Sequence, residues 1–341
     1  MFLENYWYVA AYGDEVSDEP LARTICNQPV VLFRQSSGEI AALLDICPHR
    51  LVSLSLGSVE GDYIRCRYHG IEFDGEGRCV RLPGAQGGGG LKVERVFPVV
   101  ECYGFAWVWI GDPAKADPAL LPDFWWLENP EFRFTRGAYH IKCDYRLVAD
   151  NLLDLTHEAY VHPETIGQSE LFDAPLHAGR DGNEAYLERE MTDVIPARYW
   201  AMSLGYEGPV DRWQRCRFKL PSIVLIDSGV AKAGTGALQG DRSQGVTGQV
   251  INFITPETER TCRYFVVQAR DFLLDLDAGG QQQRNETLDF IVGQDVAILE
   301  DQQRLIDAYP DMEFRSLRID MASTHARRII DEAAAPRPKA A

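Results

Sequence analysis

Short apolar runs separated by turn residues fill the first third of the chain. Val30-Val31-Leu32-Phe33 and Ile40-Ala41-Ala42-Leu43-Leu44 flank Ser36-Ser37-Gly38. Ile71-Glu72-Phe73 and Cys79-Val80 flank Asp74-Gly75-Glu76-Gly77, a hairpin signal. Residues 99–110 read as a buried strand pair that stops at Gly111-Asp112-Pro113, and the glycine run 87–90 reads as a flexible loop. The period then lengthens. Residues 145–159 carry Leu147, Val148, Leu152 and Leu155 on one side, with Pro163 just beyond, which predicts a helix. Strand-like runs recur over 183–270, among them 222–226 and 250–254, and Gly234-Thr235-Gly236 between them reads as a plain loop. A second helix is predicted over 282–308, with Leu288, Val292, Val296 and Leu299 on one side. These elements predict an α+β chain: an all-β domain over 1–112, a strand-and-helix domain over 113–332, and a disordered Ala/Pro-rich tail over 333–341.

Composition narrows the picture. The chain has 341 residues, 45% of them hydrophobic and 25% charged, which suits a globular protein with two cores. Its longest apolar run, 97–110, is interrupted by Glu101 and falls short of the roughly 20 residues of a membrane span. The first eight residues show neither a basic segment nor a cleavable apolar one, so no export is predicted. Cys26, Cys79, Cys102, Cys143, Cys216 and Cys262 are scattered without a disulfide framework, which predicts reduced cytoplasmic thiols. A net charge of −17 argues against nucleic-acid or anionic-membrane partners. Against that background Arg50, Arg65, Arg67, Arg78 and Arg81 crowd one segment, as a rim that steers an acidic electron donor or as solvated loop surface.

That segment also holds the sharpest motif. Cys47-Pro48-His49 is followed, after sixteen residues, by Cys66-Arg67-Tyr68-His69. Each half offers one thiolate and one imidazole, so two sulfurs can bind one iron and two nitrogens the other, the ligand set of a Rieske [2Fe–2S] centre. The alternative is a Cys2His2 zinc site, in which like ligands usually pair, Cys with Cys and His with His.

A second candidate centre lies on the first predicted helix. Asn151, Asp154 and His157 recur every three residues, and His162 follows five residues after His157. Two His plus a distant carboxylate would form the facial triad of a non-haem Fe(II) oxygenase. The spacing does not match the His-Glu-x-x-His of zinc proteases. Asp295 is the best third ligand, because its helical neighbours Ile291, Val292, Ile298 and Leu299 are apolar and a carboxylate there needs compensation. Glu300 and Asp301 are rivals on a more polar part of the helix. Ordinary polar or surface roles for these side chains are the simpler alternative.

Together, Trp7-Tyr8-Val9-Ala10, Asp45-Ile46-Cys47-Pro48-His49-Arg50, Cys66-Arg67-Tyr68-His69-Gly70 and Asp144-Tyr145-Arg146 through His162 resemble the oxygenase components of Rieske non-haem iron oxygenases. The resemblance is closest to the group of vanillate O-demethylase, dicamba O-demethylase and toluenesulfonate methyl-monooxygenase. It implies an N-terminal all-β Rieske domain and a C-terminal helix-grip catalytic domain of antiparallel sheet plus helices. Cys47, His49, Cys66 and His69 would hold the cluster, and His157, His162 and Asp295 the mononuclear Fe(II), with O2 as co-substrate. In such enzymes a homotrimer brings a neighbour's cluster close to the iron. Asp154 would then bridge a neighbour's His69 and His157, and Asn151 would be a polar group near the iron. No flavin or NAD fingerprint appears, so a separate flavin and plant-type ferredoxin reductase using NADH is implied. The implied reaction is O-demethylation of a methoxylated, vanillate-like aromatic acid to a phenol and formaldehyde. The alternatives are hydroxylation of a methyl group or ring by the same iron, and electron transfer without oxygenase activity.

Overall fold

The computed structural model describes residues 2–84 and 89–335. Two compact units emerge: residues 1–123 with Thr255–Thr258, and residues 124–254 with 259–341. The sequence placed the first boundary at 112; residues 113–123 instead stay with the first unit. Gly-Asp-Pro ends a strand there, and the chain beyond it is held by the Trp7 indole, which donates to the Asp117 carbonyl at 2.9 Å.

Among the described residues the first unit has ten short strands: β1 (Tyr6–Tyr12), β2 (Leu21–Ile25), β3 (Gln28–Arg34), β4 (Ile40–Leu44), β5 (Ser58–Glu60), β6 (Tyr63–Arg65), β7 (Glu72–Phe73), β8 (Cys79–Arg81), β9 (Val99–Cys102) and β10 (Phe105–Ile110). They form three antiparallel sheets, ordered β1-β10-β9, β2-β3-β4 and β5-β6-β7-β8. The predicted hairpins are the pairs β3/β4, β7/β8 and β9/β10. Val31, Phe33, Leu43, Leu54, Ile64, Ile71 and Phe73 form one core, and Cys47 and Cys66 are part of it. The candidate cluster loops are thus anchored in packed apolar side chains. Of the glycine run, Gly87 and Gly88 lie outside the described residues.

The second unit centres on a seven-stranded antiparallel sheet: β11 (Arg133–Ile141), β12 (Leu176–Asp181), β13 (Glu184–Val194), β14 (Val210–Lys219), β15 (Ile223–Lys232), β16 (Gly245–Thr258) and β17 (Thr261–Arg270). Its order is β11-β17-β16-β15-β14-β13-β12. The apolar runs predicted near 222–226 and 250–254 are paired neighbours, Ile223 opposite Phe253 and Ile226 opposite Val250.

Among the described residues five α-helices accompany this sheet: α1 (Tyr145–Leu152), α2 (Glu158–Val161), α3 (Arg198–Leu204), α4 (Ala278–Ala308) and α5 (Met321–Ala334). The single helix predicted over 145–159 is therefore two. Asp154 explains the break: its Oδ1 accepts the Thr156 N–H at 2.8 Å, a local bond that competes with the helical ladder. The long α4 starts at an Asp277 cap, whose Oδ1 accepts from Gly280 N–H at 2.8 Å. Tyr139 of β11 fastens it through a 2.6 Å bond to Asp289. The predicted disordered tail is corrected at its start, since Ala333 and Ala334 belong to α5; residues 336–341 lie outside the described residues.

Candidate functional site

The two cluster loops of the first unit are built alike. Cys47 N–H donates to the Val52 carbonyl at 2.8 Å, and the Cys47 carbonyl accepts from Leu51 N–H at 2.9 Å. Cys66 repeats this with Ile71 at 2.8 Å and Gly70 at 2.9 Å. The fourth residue after each cysteine takes a left-handed backbone, Leu51 at φ 57° and Gly70 at φ 68°. Glycine adopts that conformation freely, whereas a leucine there is uncommon. The Asp45 carboxylate braces the first loop by accepting from Ser55 N–H at 2.7 Å and Ser55 O–H at 2.5 Å.

This construction sorts the donors by element. Cys47 and Cys66 are buried while His49 and His69 are exposed, their rings 4.6 Å apart at 61°. Burial pushes the Cys47 thiol up, with Cys66 beside it. Sulfurs inward and imidazoles outward suit two irons with unlike ligand pairs. The surrounding arginines are less free than the sequence suggested. Arg65 pairs with Glu60 and Glu72, Arg78 with Asp74 and Glu76, and Arg81 with Glu72. Among the described residues only Arg50 and Arg67 of this group are exposed without an ion pair.

In the second unit the structure brings His157, His162 and Asp295 together, with one donor atom from each within 4.8 Å of the others. His157 caps the start of α2 and His162 its end, so the short helix after the break sets their separation. Nε2 of His162 lies 3.2 Å from Asp295 Oδ1 and that of His157 3.5 Å. The other ring nitrogens are occupied. His162 Nδ1–H donates to Gln294 Oε1 at 2.9 Å, and His157 Nδ1–H to the Asp154 carbonyl. These bonds select the tautomers that turn both Nε2 lone pairs toward the carboxylate. Three acceptors facing one another call for a cation, and two imidazoles with one carboxylate suit Fe(II) with open positions. For His162, burial opposes protonation, but the bond and charge of Asp295 outweigh it and raise the pKa above the ordinary value.

Other predicted residues take different places. Asn151 Nδ2 donates to Asp295 Oδ1 at 3.2 Å, which places it beside the triad. Asp154 touches His157 through its backbone carbonyl, whereas its carboxylate bonds Thr156, so the expected side-chain bond to His157 is absent within one chain. The rival carboxylates are engaged elsewhere: Glu300 accepts from Lys142 N–H at 3.0 Å and Asp301 pairs with Arg304 at 2.6 Å.

Two supports escaped the sequence reading. Gln294 orients His162, and its only sequence signal was adjacency to Asp295. Glu158 is buried and accepts from Arg212 at 3.1 Å and from Gln214 at 2.8 and 3.0 Å. This network ties α2 to β14 between the two imidazoles, and the fully buried Arg212 is satisfied further by Gln168 at 2.9 Å.

The triad opens into a cavity of about 130 Å³. Its walls are mainly apolar, with Leu155, Ile226, Val250, Val266, Ile291 and Val292 among them, and strands β15 and β16 contribute. Tyr264 O–H donates to Asn252 Oδ1 at 2.7 Å within this wall.

Comparisons with known proteins agree with this geometry. Residues 6–103 match the Rieske [2Fe-2S] domain, and residues 141–336 match the vanillate O-demethylase oxygenase C-terminal domain. The chain is 42% identical to the vanillate O-demethylase oxygenase subunit of Pseudomonas sp. (strain HR199 / DSM 7063), over 100% of this chain and 97% of that one. It is 41% identical to the dicamba O-demethylase oxygenase component of Stenotrophomonas maltophilia, over 80% of each. The crystal structure of dicamba monooxygenase bound to 3,6-dichlorosalicylic acid superposes with a TM-score of 0.90 at 35% identity, covering 97% of both chains. The chain belongs to the vanillate O-demethylase oxygenase family: it is the oxygenase component of a Rieske monooxygenase, with a [2Fe–2S] cluster and a non-haem iron as cofactors.

Proposed function

We propose that this oxygenase removes the methyl group of a methoxylated aromatic acid of the vanillate type, giving a phenol and formaldehyde. The observation that carries the reading is the cavity, whose apolar walls close over the one metal triad found among the described residues. His157, His162 and Asp295 are the iron ligands in this reading, and Cys47, His49, Cys66 and His69 hold the cluster. An iron held there would supply O2 activation, and the cluster would supply the electrons needed to insert one oxygen atom into a methoxy C–H bond.

The chain's own residues prepare that step. Gln294 and the Asp154 carbonyl fix both imidazoles, Asn151 steadies the Asp295 carboxylate, and the apolar walls exclude water from the oxidant. The hydroxylated methoxy carbon is a hemiacetal, which collapses to the phenol and formaldehyde. Overall, ArOCH3, O2, NADH and H+ give ArOH, HCHO, H2O and NAD+. Electrons enter through a separate flavin and ferredoxin-type NADH reductase. In a homotrimer Asp154 would bridge a neighbour's His69 and this chain's His157, touching His157 through its backbone carbonyl and His69 through its carboxylate, so that electrons would pass from cluster to iron along the linked imidazoles. The cytoplasm, with reduced cysteines, is the compartment this reading assigns.

The test is a single turnover. Reduced protein is mixed with O2 and vanillate, and formaldehyde is measured. Stoichiometric formaldehyde with the matching phenol is expected. A hydroxylated product without formaldehyde would move the assignment to methyl or ring hydroxylation, a reading favoured by the 34% identity to a toluene-4-sulfonate monooxygenase iron-sulfur subunit of Comamonas testosteroni over 97% of this chain.

A further inference from the structure

The triad cavity also contains a cation without a counter-ion. Arg284 of α4 lines it, and its Nη1 is buried with no hydrogen-bond partner. Its Nη2 reaches Ser203 Oγ at 3.3 Å, and the guanidinium also bonds the Tyr199 hydroxyl, so both of these partners are neutral. The guanidinium stacks over Tyr199, 5.0 Å from the ring centre, and over Phe272 at 5.2 Å, so aromatic faces hold it in place. Trp200, which packs edge-on against Tyr199 at 5.1 Å, lines the same cavity, and its indole N–H is buried without an acceptor.

The carboxylates of this cavity are already engaged. Glu158 is bound by Arg212 and Gln214, and Asp295 belongs to the triad. A neighbouring guanidinium adds positive charge: Arg270 is fully buried, bonded to Thr135 at 3.2 Å and Gln281 at 3.0 Å, both neutral. Burial pushes the Arg270 pKa down, and the charge of Arg284 pushes it further. Among the described residues neither arginine pairs with a carboxylate. Unpartnered donors in a low-dielectric wall are costly unless a ligand completes them.

Position decides what that ligand is. Arg284 precedes Asp295 by eleven residues on one helix, about 16 Å along its axis, so the triad and the guanidinium mark opposite ends of the cavity. Arg284, Tyr199 and Thr287 also line an adjoining cavity of about 300 Å³, so the cationic end faces the second space. We infer that Arg284, seconded by the Trp200 indole, is the anchor for the carboxylate of the aromatic substrate, holding the ring so that its far edge meets the triad. This rests on the substrate class proposed above, and it makes Arg284 the residue that selects acids over neutral aromatics.

Calorimetric titration tests it without turnover. The ligands are two matched pairs: 4-hydroxy-3-methoxybenzoate with 2-methoxyphenol, and 4-hydroxybenzoate with phenol. The acid of each pair is expected to bind roughly 100-fold more tightly, the range in which losing one partner of a desolvated charged pair falls. Arg284→Gln should erase that preference by weakening the acids, while Arg284→Lys should retain part of it. Three outcomes would overturn the anchor: no acid preference in the native protein, a preference that survives Arg284→Gln, or equal weakening of acids and neutral partners in both variants. An Arg284-dependent preference in both pairs, with no formaldehyde from the methoxy acid, would uphold the anchor and reject O-demethylation. Formaldehyde without any acid preference would do the reverse.

Discussion

The two candidate metal centres use the same imidazole chemistry and present it in opposite ways. In the first unit the imidazoles of His49 and His69 face solvent while the thiols are sunk into a core. In the second unit His162 is 1% exposed and both imidazoles face a cavity. An electron carrier must meet its partners at the surface, whereas an oxidant must be kept from water. The first centre is held by backbone bonds closing two twin loops. The second is held by side chains (Gln294, Asn151 and the Glu158 network) reaching across from other elements. The two centres are therefore separable, each failing for its own reasons.

Removing ligands should break the contrast most visibly. Asp295→Ala is expected to leave the cluster's two irons and two sulfides and eliminate the third iron, abolishing product formation. Cys47→Ser should lose the cluster and its visible absorbance. Iron and sulfide analysis checks both. Loss of sulfide from Asp295→Ala would show that the centres do not assemble independently. A gentler separation is Asp154→Asn, which should retain both centres and slow turnover about 10–100-fold, as outer-sphere carboxylates commonly do. Stopped-flow reoxidation of the reduced cluster measures it, and retained speed would sink the bridging role.

How much of each centre was legible follows from the same contrast. Cys47, His49, Cys66 and His69 all fall within 47–69, so the cluster motif is written locally. The triad spans from His157 to Asp295, and only the apolar neighbours of Asp295 marked it in the sequence. The strands at Gln28–Arg34, Ile40–Leu44, Ile223–Lys232 and Gly245–Thr258 were visible because their apolar runs end at turn residues. The break after Leu152 was hidden, since Leu155 continues the helical period and the competing bond from Asp154 to Thr156 leaves no trace in hydrophobicity. Gln294, Arg212 and Arg284 act across tens of residues, and nothing near them in the chain announces their partners. The left-handed Leu51 was equally silent, because its fellow position, Gly70, is the one whose residue type signals the turn.

The side-chain support of the second centre predicts a stability cost that the first does not share. Arg212 is fully buried, and Glu158, at 3.1 Å, is its only carboxylate partner among the described residues. Glu158→Ala strands that charge and should cost about 3–5 kcal/mol, the usual penalty for breaking a buried pair from one side. Denaturant unfolding monitored by Trp fluorescence would measure it, with the transition of the second unit shifted and the cluster absorbance persisting at low denaturant. A shift below about 1 kcal/mol would mean that Arg212 finds water or another acceptor.

The smallest expected effects come from two glycines, and they sharpen the contrast because each touches one centre only. A Cβ on Gly57 would lie 1.9 Å from the Arg65 carbonyl, directly before Cys66, and one on Gly167 would lie 2.2 Å from the Glu158 carbonyl and 2.7 Å from that of His162. Both contacts are with backbone, so neither is relieved by a side-chain rotation, and overpacking of this kind costs about 1–3 kcal/mol. Neither glycine has positive φ, so the cost is steric alone. Gly57→Ala should therefore loosen the second cluster loop and lower sulfide content while the third iron stays bound. Gly167→Ala should displace α2 and lower the third iron while sulfide is unchanged. Iron-to-sulfide ratios of the two purified variants read the difference directly. Equal losses of both metals in both variants would mean that the centres share one cooperative scaffold, and the separability drawn from their construction would be wrong.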